Sequence, residues 1–244
     1  MSENVLLSAQ EGAVLTLTLN RPDAHNALDS ALCRALIAAL QAADEDESVS
    51  LVVLRGAGKS FCSGADTREF KHLTPEQRAN VKDRAALSSG IHTTLARMKT
   101  PTLAAVRGYA LGGGCGLALA CDMVVAEAGA SFGYPEIKHG LVAAVVMSNL
   151  SRQIGRKAAM ELVLTGRRIT PQEALAMGLI NRVAAAEDFE AVVAELSAQI
   201  GSHLRGALRL TKGLFNEVAD LDHLSGIAKG QAANEAMRAL RKAE

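Results

Sequence analysis

The stretch that most constrains this chain is residues 102–126, TLAAVRGYALGGGCGLALACDMVVA. Two apolar runs, residues 102–106 and 123–126, enclose a turn with three consecutive glycines, Gly112, Gly113 and Gly114, which passes into the small, apolar segment 115–120. The pattern predicts strand, glycine turn, buried helix and strand. Lacking β-carbons, the turn lets another group approach the backbone, and the helix behind it aims unpaired N–H groups at that space. Such a place suits a developing negative charge. The same glycines also suit plain close packing of a helix against a strand, so a second, matching stretch must decide between the two.

Composition limits the partners. Basic and acidic residues both number 26, giving zero net charge, which argues against nucleic acid or any other polyanion. A hydrophobic share of 49% in 244 residues suffices for one sizeable core, or one core with a helical appendage. The first twelve residues, MSENVLLSAQEG, carry no basic and apolar leader, and no apolar run reaches membrane-spanning length without a charge or breaker. A cytoplasmic protein with no membrane partner is expected. Cys33, Cys62, Cys115 and Cys121 form no Cys-x-x-Cys pair and sit among apolar or glycine-rich neighbours, as buried thiols of a reducing compartment do.

Along the chain, residues 5–9 and 13–19 read as a hairpin, and Asp29 or Ser30 caps a helix running to about Ala43. Residues 51–54 form a buried strand, and residues 75–98 a long amphipathic helix leading to the glycine unit. After it come a loop, residues 131–141, an apolar helix over 142–154, a helix over 158–164, a helix start at Thr170 and a strand over 180–183. From Asp188 onward only helical patterns remain. The recurrence of strand, loop and helix suggests a spiral of repeating turns. A boundary near Ala185 separates a core, residues 1–185, from a helical region, residues 186–244.

Several motifs fail. Gly58-Lys59-Ser60 lacks the leading glycine of a phosphate loop, since Val53 stands there. Leu117 and Leu119 break a dinucleotide fingerprint, and Phe61 occupies the place of a glycine in a serine nucleophile elbow. No histidine has a metal-ligand partner at helical spacing, so no metal is expected.

Three stretches taken together, Asn-Arg-Pro-Asp-Ala-His-Asn-Ala-Leu at 20–28, Ser60-Phe61-Cys62-Ser63-Gly64-Ala65-Asp66, and Gly108-Tyr109-Ala110-Leu111-Gly112-Gly113-Gly114-Cys115, resemble the crotonase superfamily of enoyl-CoA hydratases and isomerases. The resemblance covers about residues 5–220. It implies an α/β fold with a ββα-spiral core, a C-terminal helical region used in trimer assembly, and a coenzyme A thioester as ligand. It implies no separate cofactor, since CoA enters with the substrate, and a homotrimer or dimer of trimers. It also implies that the N–H groups of Ala65 and Gly113 hold the thioester oxygen as negative charge builds on it, one such donor lowering the barrier by about 3 kcal/mol. Substrate is implied to lie along Ala65, Asp66, Thr67 and Arg68, with Ala24 and Ser63 beside them and Gly113, Gly114 and Gly116 on the facing turn. His25, Lys59 and Arg68 are candidates for CoA phosphates, although each alone reads as solvated surface.

The acid/base groups depart from the family pattern. The best-known hydratases carry two glutamates, at positions matching Gly116 and Glu136, so here Glu136 stands alone. Burial by Phe132, Tyr134 and Ile137 is expected to raise its pKa from about 4.3 and fit it for proton transfer. Leu141-Val142-Ala143-Ala144-Val145 replaces the Pro-x-x-Gly-like turn of many relatives, which alters the acyl pocket, and the chain stops at Glu244, soon after residues 239–242, where relatives usually continue into a last helix. Hydration uses two carboxylates conveniently, whereas a double-bond shift needs one. Hydratase, 3,2-enoyl-CoA isomerase and a non-catalytic acyl-CoA binder therefore all stay open.

Overall fold

The computed structural model describes residues 4–74 and 76–240. In chain order its strands are β1 (Leu6–Glu11), β2 (Val14–Leu19), β3 (Leu51–Gly56), β4 (Thr102–Val106), β5 (Tyr109–Leu111), β6 (Met123–Glu127), β7 (Ser131–Gly133), β8 (Arg168–Ile169) and β9 (Arg182–Ala184). Its helices are α1 (Ser30–Glu45), α2 (Arg78–Arg97), α3 (Gly113–Ala120), α4 (Met147–Gln153), α5 (Arg156–Thr165), α6 (Pro171–Ala176), α7 (Phe189–Gly201), α8 (Arg205–Val218) and α9 (His223–Leu240).

The large sheet runs β1-β2-β3-β4-β6-β9 and is parallel except for the β1-β2 hairpin. Its central strands are unbroken apolar runs because both faces are covered. Val52, Leu54, Ala104, Val106, Val124 and Ala126 point into the main core with α1, α2 and α3. The alternate residues Leu51, Val53, Leu103, Ala105 and Val125 point the other way, onto Phe189, Val193 and Leu196 of α7. Period-two alternation thus divides one strand run between two cores. α1 shows the helical counterpart: Leu32, Cys33, Leu36, Leu40 and Ala43 form its buried stripe. Asp29 caps it by accepting the Leu32 N–H at 2.8 Å, a contact of about 1 kcal/mol.

A small second sheet, β5-β7-β8, lies alongside. Cys62 extends it by pairing with Ala110, its N–H donating to Tyr109 O at 2.8 Å and its carbonyl accepting from Leu111 at 3.0 Å. β3 followed by Cys62, β4 followed by β5, and β6 followed by β7 are therefore three successive turns, each laying one strand in the large sheet and one short piece in the small. This is the expected α/β spiral, with a helical C-terminal region after it.

Details differ from expectation. The apolar run 142–154 is helical only from Met147, because Val142 stays exposed and its carbonyl accepts the Ala144 N–H at 2.8 Å, a tight turn that no helix contains. β5 and β7 read as turn or loop in the sequence, being only three residues long. The strand expected at 180–183 lies at Arg182–Ala184, since Asn181 still serves the turn, bonding β6 through its main-chain N–H and its side chain. The expected helix start at Pro75 and the chain end at residues 241–244 lie outside the described residues. Among those described, no helix is long and apolar enough to cross a membrane.

Candidate functional site

The spiral brings the two singled-out loops together. Leu28 pairs with the 64–66 segment, donating to Gly64 O at 2.8 Å and accepting from Asp66 N at 3.0 Å. That leaves the Ala65 N–H on the opposite edge, facing the glycine turn. A β-carbon at Gly113 would lie 3.8 Å from the Ala65 nitrogen. Gly113 is the first residue of α3, so its N–H has no partner within the helix, and among the described residues neither it nor the Ala65 N–H donates a backbone hydrogen bond. Two free main-chain donors at a helix N-terminus form a place for an oxyanion. Gly64, at φ +101, makes the approach possible, since a side chain there would start 2.9 Å from Leu111 O.

Charged side chains lock the Ala65 loop. Asp66, buried, accepts from Arg68 Nε at 2.9 Å, from Arg68 Nη2 at 2.7 Å and from Arg21 Nη2 at 2.9 Å. The Arg68 hydrogen bonds, joined by those of Arg21, hold its carboxyl well below the usual carboxylate range despite burial. Arg21 also reaches Asp29 at 3.0 Å and the Ala27 carbonyl. Arg84, buried on α2, donates to Leu28 O at 2.7 Å and to Glu69 at 3.0 Å, and Glu69 accepts the Ser30 N–H at 2.9 Å.

The opposite wall carries Glu136. Its carboxylate lies against the glycine turn: a β-carbon on Gly112 would meet Glu136 Oε1 at 2.9 Å, and Gly112 has φ +54, so both space and backbone angle require glycine. Burial raises the Glu136 pKa above the ordinary value, opposed by a backbone hydrogen bond and the charge of His139. Phe132 and Tyr134 beside it in sequence are buried as expected, while Ile137 is exposed and so contributes little to that burial. One helical turn further, a side chain at Gly116 would start 2.1 Å from Val146 Cγ1 and 3.2 Å from His92 Cε1. The space that a side chain at Gly116 would need is thus filled by Val146, with His92 at its edge.

The remaining expected residues are distributed. Ala24 closes a short turn at Pro22–Ala24, and its carbonyl accepts weakly from Ser63 Oγ at 3.4 Å. Thr67 and Arg68 are exposed on the rim, Arg68 committed to Asp66. Gly114 faces Cys62, whose carbonyl oxygen would lie 2.2 Å from a β-carbon there, so its missing side chain serves packing. Of the phosphate candidates, His25 Nδ1 is 3.0 Å from Ser60 Oγ, and Lys59 is exposed. Burial pushes the Cys62, Cys115 and Cys121 thiols up to about 12, which removes them as thiolate nucleophiles near neutral pH. The described residues contain no cluster of three metal-ligating side chains. Arg21, Arg84, His92 and Val146 were not singled out from the sequence. Only the charge of the arginines signalled anything, and it reads as ordinary surface.

The family described as enoyl-CoA hydratase/isomerase matches residues 9–238. The 2,3-dehydroadipyl-CoA hydratase of Escherichia coli is 37% identical over 234 residues, covering 94% of this chain and 88% of that protein. Among solved structures, an enoyl-CoA hydratase of Mycobacterium smegmatis superposes with a TM-score of 0.91 at 35% identity, covering 96% of this chain and 91% of that one. An enoyl-CoA hydratase of Bacillus anthracis gives 0.88 at 33% identity, covering 95% and 90%.

Proposed function

The chain belongs to the enoyl-CoA hydratase/isomerase family, and from that premise we propose that it hydrates a 2-enoyl-CoA thioester with Glu136 as the proton-transfer residue. The carrying observation is the juxtaposition of two unpartnered N–H groups, on Ala65 and Gly113, with a desolvated carboxylate 2.9 Å from where a Gly112 side chain would start. The thioester oxygen accepts from both N–H groups. Glu136 takes a proton from water while the water oxygen bonds to the β-carbon, and the π electrons move onto the thioester oxygen. The enolate collapses, and Glu136 returns the proton to the α-carbon. CoA arrives with the substrate, so no separate cofactor or metal is needed. The rim residues Thr67 and Arg68, with Asp66, Ala24 and Ser63 behind them, line the path for its pantetheine.

A double-bond shift between the 3- and 2-positions is the second reading, favoured by the absence of a carboxylate at Gly116. Turnover of crotonyl-CoA and of 3-hexenoyl-CoA separates the two, and binding of a thioester with neither activity would leave only the non-catalytic alternative. We also place the protein in the cytoplasm, in keeping with its four buried free thiols, and assign it a trimeric assembly. Phe215 is 72% exposed, Leu224 75% and Ile227 56%, an apolar surface on α8 and α9 in keeping with a subunit contact. A monomeric mass in solution at micromolar concentration would contradict the trimer.

A further inference from the structure

Among the described residues, two buried side-chain atoms lack a hydrogen-bond partner, Glu136 Oε2 and His92 Nδ1. Buried polar atoms are satisfied in the great majority of cases, so two orphans call for a partner that arrives later. Glu136 stands at Gly112, the cap of α3, and His92 at Gly116 in the first turn, whose N–H donates to Gly112 O at 3.0 Å. The His92 atom nearest Gly116 is Cε1, the carbon between the two ring nitrogens, so either nitrogen is one bond from the atom facing the site. Val146 fills the rest of the space with methyl groups that make no hydrogen bond.

Resting on the hydration reading above, we propose that His92 orients the attacking water, hydrogen-bonding to it while Glu136 removes its proton. A water placed between them would give both orphaned atoms a partner. Burial lowers the His92 pKa, which keeps the imidazole neutral and able to accept a hydrogen bond from water. Glu136 alone moves protons in this scheme, and His92 loses and gains none overall. The chain thereby holds water with an imidazole from α2, where its better-known relatives are implied to use a second carboxylate from α3.

The test compares two reactions of the full-length protein, hydration of crotonyl-CoA, which needs the water, and the double-bond shift of 3-hexenoyl-CoA, which does not. His92→Leu is expected to lower kcat for hydration about 100-fold, the scale of lost orientation, with KM and the double-bond shift changed less than about threefold. His92→Gln, which keeps a hydrogen-bonding group at a different reach, should fall between Leu and wild type. Equal losses in both reactions, or none, overturn the proposal, the first by making His92 structural. If His92→Leu fails to fold, the ratio of the two rates in His92→Gln decides: a fall supports the proposal and an unchanged ratio overturns it. A wild type that shifts double bonds without hydrating sinks this inference but leaves the thioester chemistry intact, and for one that hydrates without shifting the comparator is Glu136-dependent exchange of the α-protons of butyryl-CoA with solvent deuterium, which needs no attacking water. One that catalyses neither reaction sinks both.

Discussion

The two walls of the cleft are built on opposite plans. On the Ala65 side, Asp66, Glu69, Arg21 and Arg84 are all paired, and hydrogen bonds from three of them reach the main chain of residues 27–30, where Leu28 pairs with the Ala65 loop. On the Glu136 side, the two polar groups that face α3 each keep one buried atom without a partner, Glu136 Oε2 and His92 Nδ1. The donor wall is finished before substrate arrives, as electrostatic preorganisation requires, whereas the acid/base wall is completed by the reactants themselves. One wall stores order and the other stores unmet hydrogen bonding.

The comparison breaks most sharply at Glu136. Glu136→Gln is expected to lower kcat by about 10² to 10⁴ while the dissociation constant of a CoA ester shifts less than about threefold. The wild-type rate should also fall with acid on a limb lying above the ordinary carboxylate range, because the base must be ionised and burial has raised its pKa. Survival of activity within about tenfold removes Glu136 from the mechanism.

Next in size is the donor wall. Gly113→Pro deletes one N–H at the first position of a helix, where proline is tolerated, and should lower kcat by about 10² to 10³ in a variant that still melts cooperatively. Near-normal activity of that folded variant would mean that Gly113 is no donor.

Smaller effects are expected where one wall is only loosened. Asp66→Asn should reduce kcat by about tenfold through displacement of Ala65 and cost about 2 kcal/mol, less than the roughly 3–5 kcal/mol for a fully buried pair because Arg68 is solvated. The folded-state pKa of Asp66 is depressed, so its contribution is present above the usual carboxylate range, near 4, and is lost as pH falls through that range and below. Denaturant titrations of variant and wild type should therefore converge on acidification. A constant gap would show that the carboxylate is not the stabilising group.

The smallest effect has the opposite sign. The folded-state pKa of Glu136 is raised, so its contribution is fully present below about pH 4 and is lost as pH rises through the folded value. At neutral pH, Glu136→Gln should melt slightly above wild type, with the advantage vanishing below about pH 4. A variant less stable than wild type at pH 7 would show that Glu136 Oε2 has a partner after all, and the contrast between the walls would fail.

Much of this was legible in the sequence where local rules decide. The glycine triplet, the short apolar helix after it, the Asp29 cap and the all-helical end each follow from neighbours a few residues apart. The three-residue strands β5 and β7 were not, because they exist only through pairing with Cys62 and with each other. Nor was His92, since only the packing of α2 against α3 brings it to Gly116, 24 positions away. Nor was the role of Val146, since nothing within the apolar run marks it as the residue that fills the space beside Gly116. Arg21 and Arg84 looked like surface because ion pairing, which permits their burial, leaves no local trace.

The two-faced sheet also sets a schedule. β6 is complete once residue 127 has been made, yet Leu51, Val53, Leu103, Ala105 and Val125 stay uncovered until α7 ends at Gly201. Some 74 residues separate those events, roughly 4 to 15 s of synthesis at about 5–20 residues per second. For that interval the nascent chain displays a broad aliphatic surface on a sheet whose edge strand, β9, is also still to come. The last third of the chain therefore closes the fold as well as extending it, and a chain cut before α7 leaves that aliphatic face uncovered.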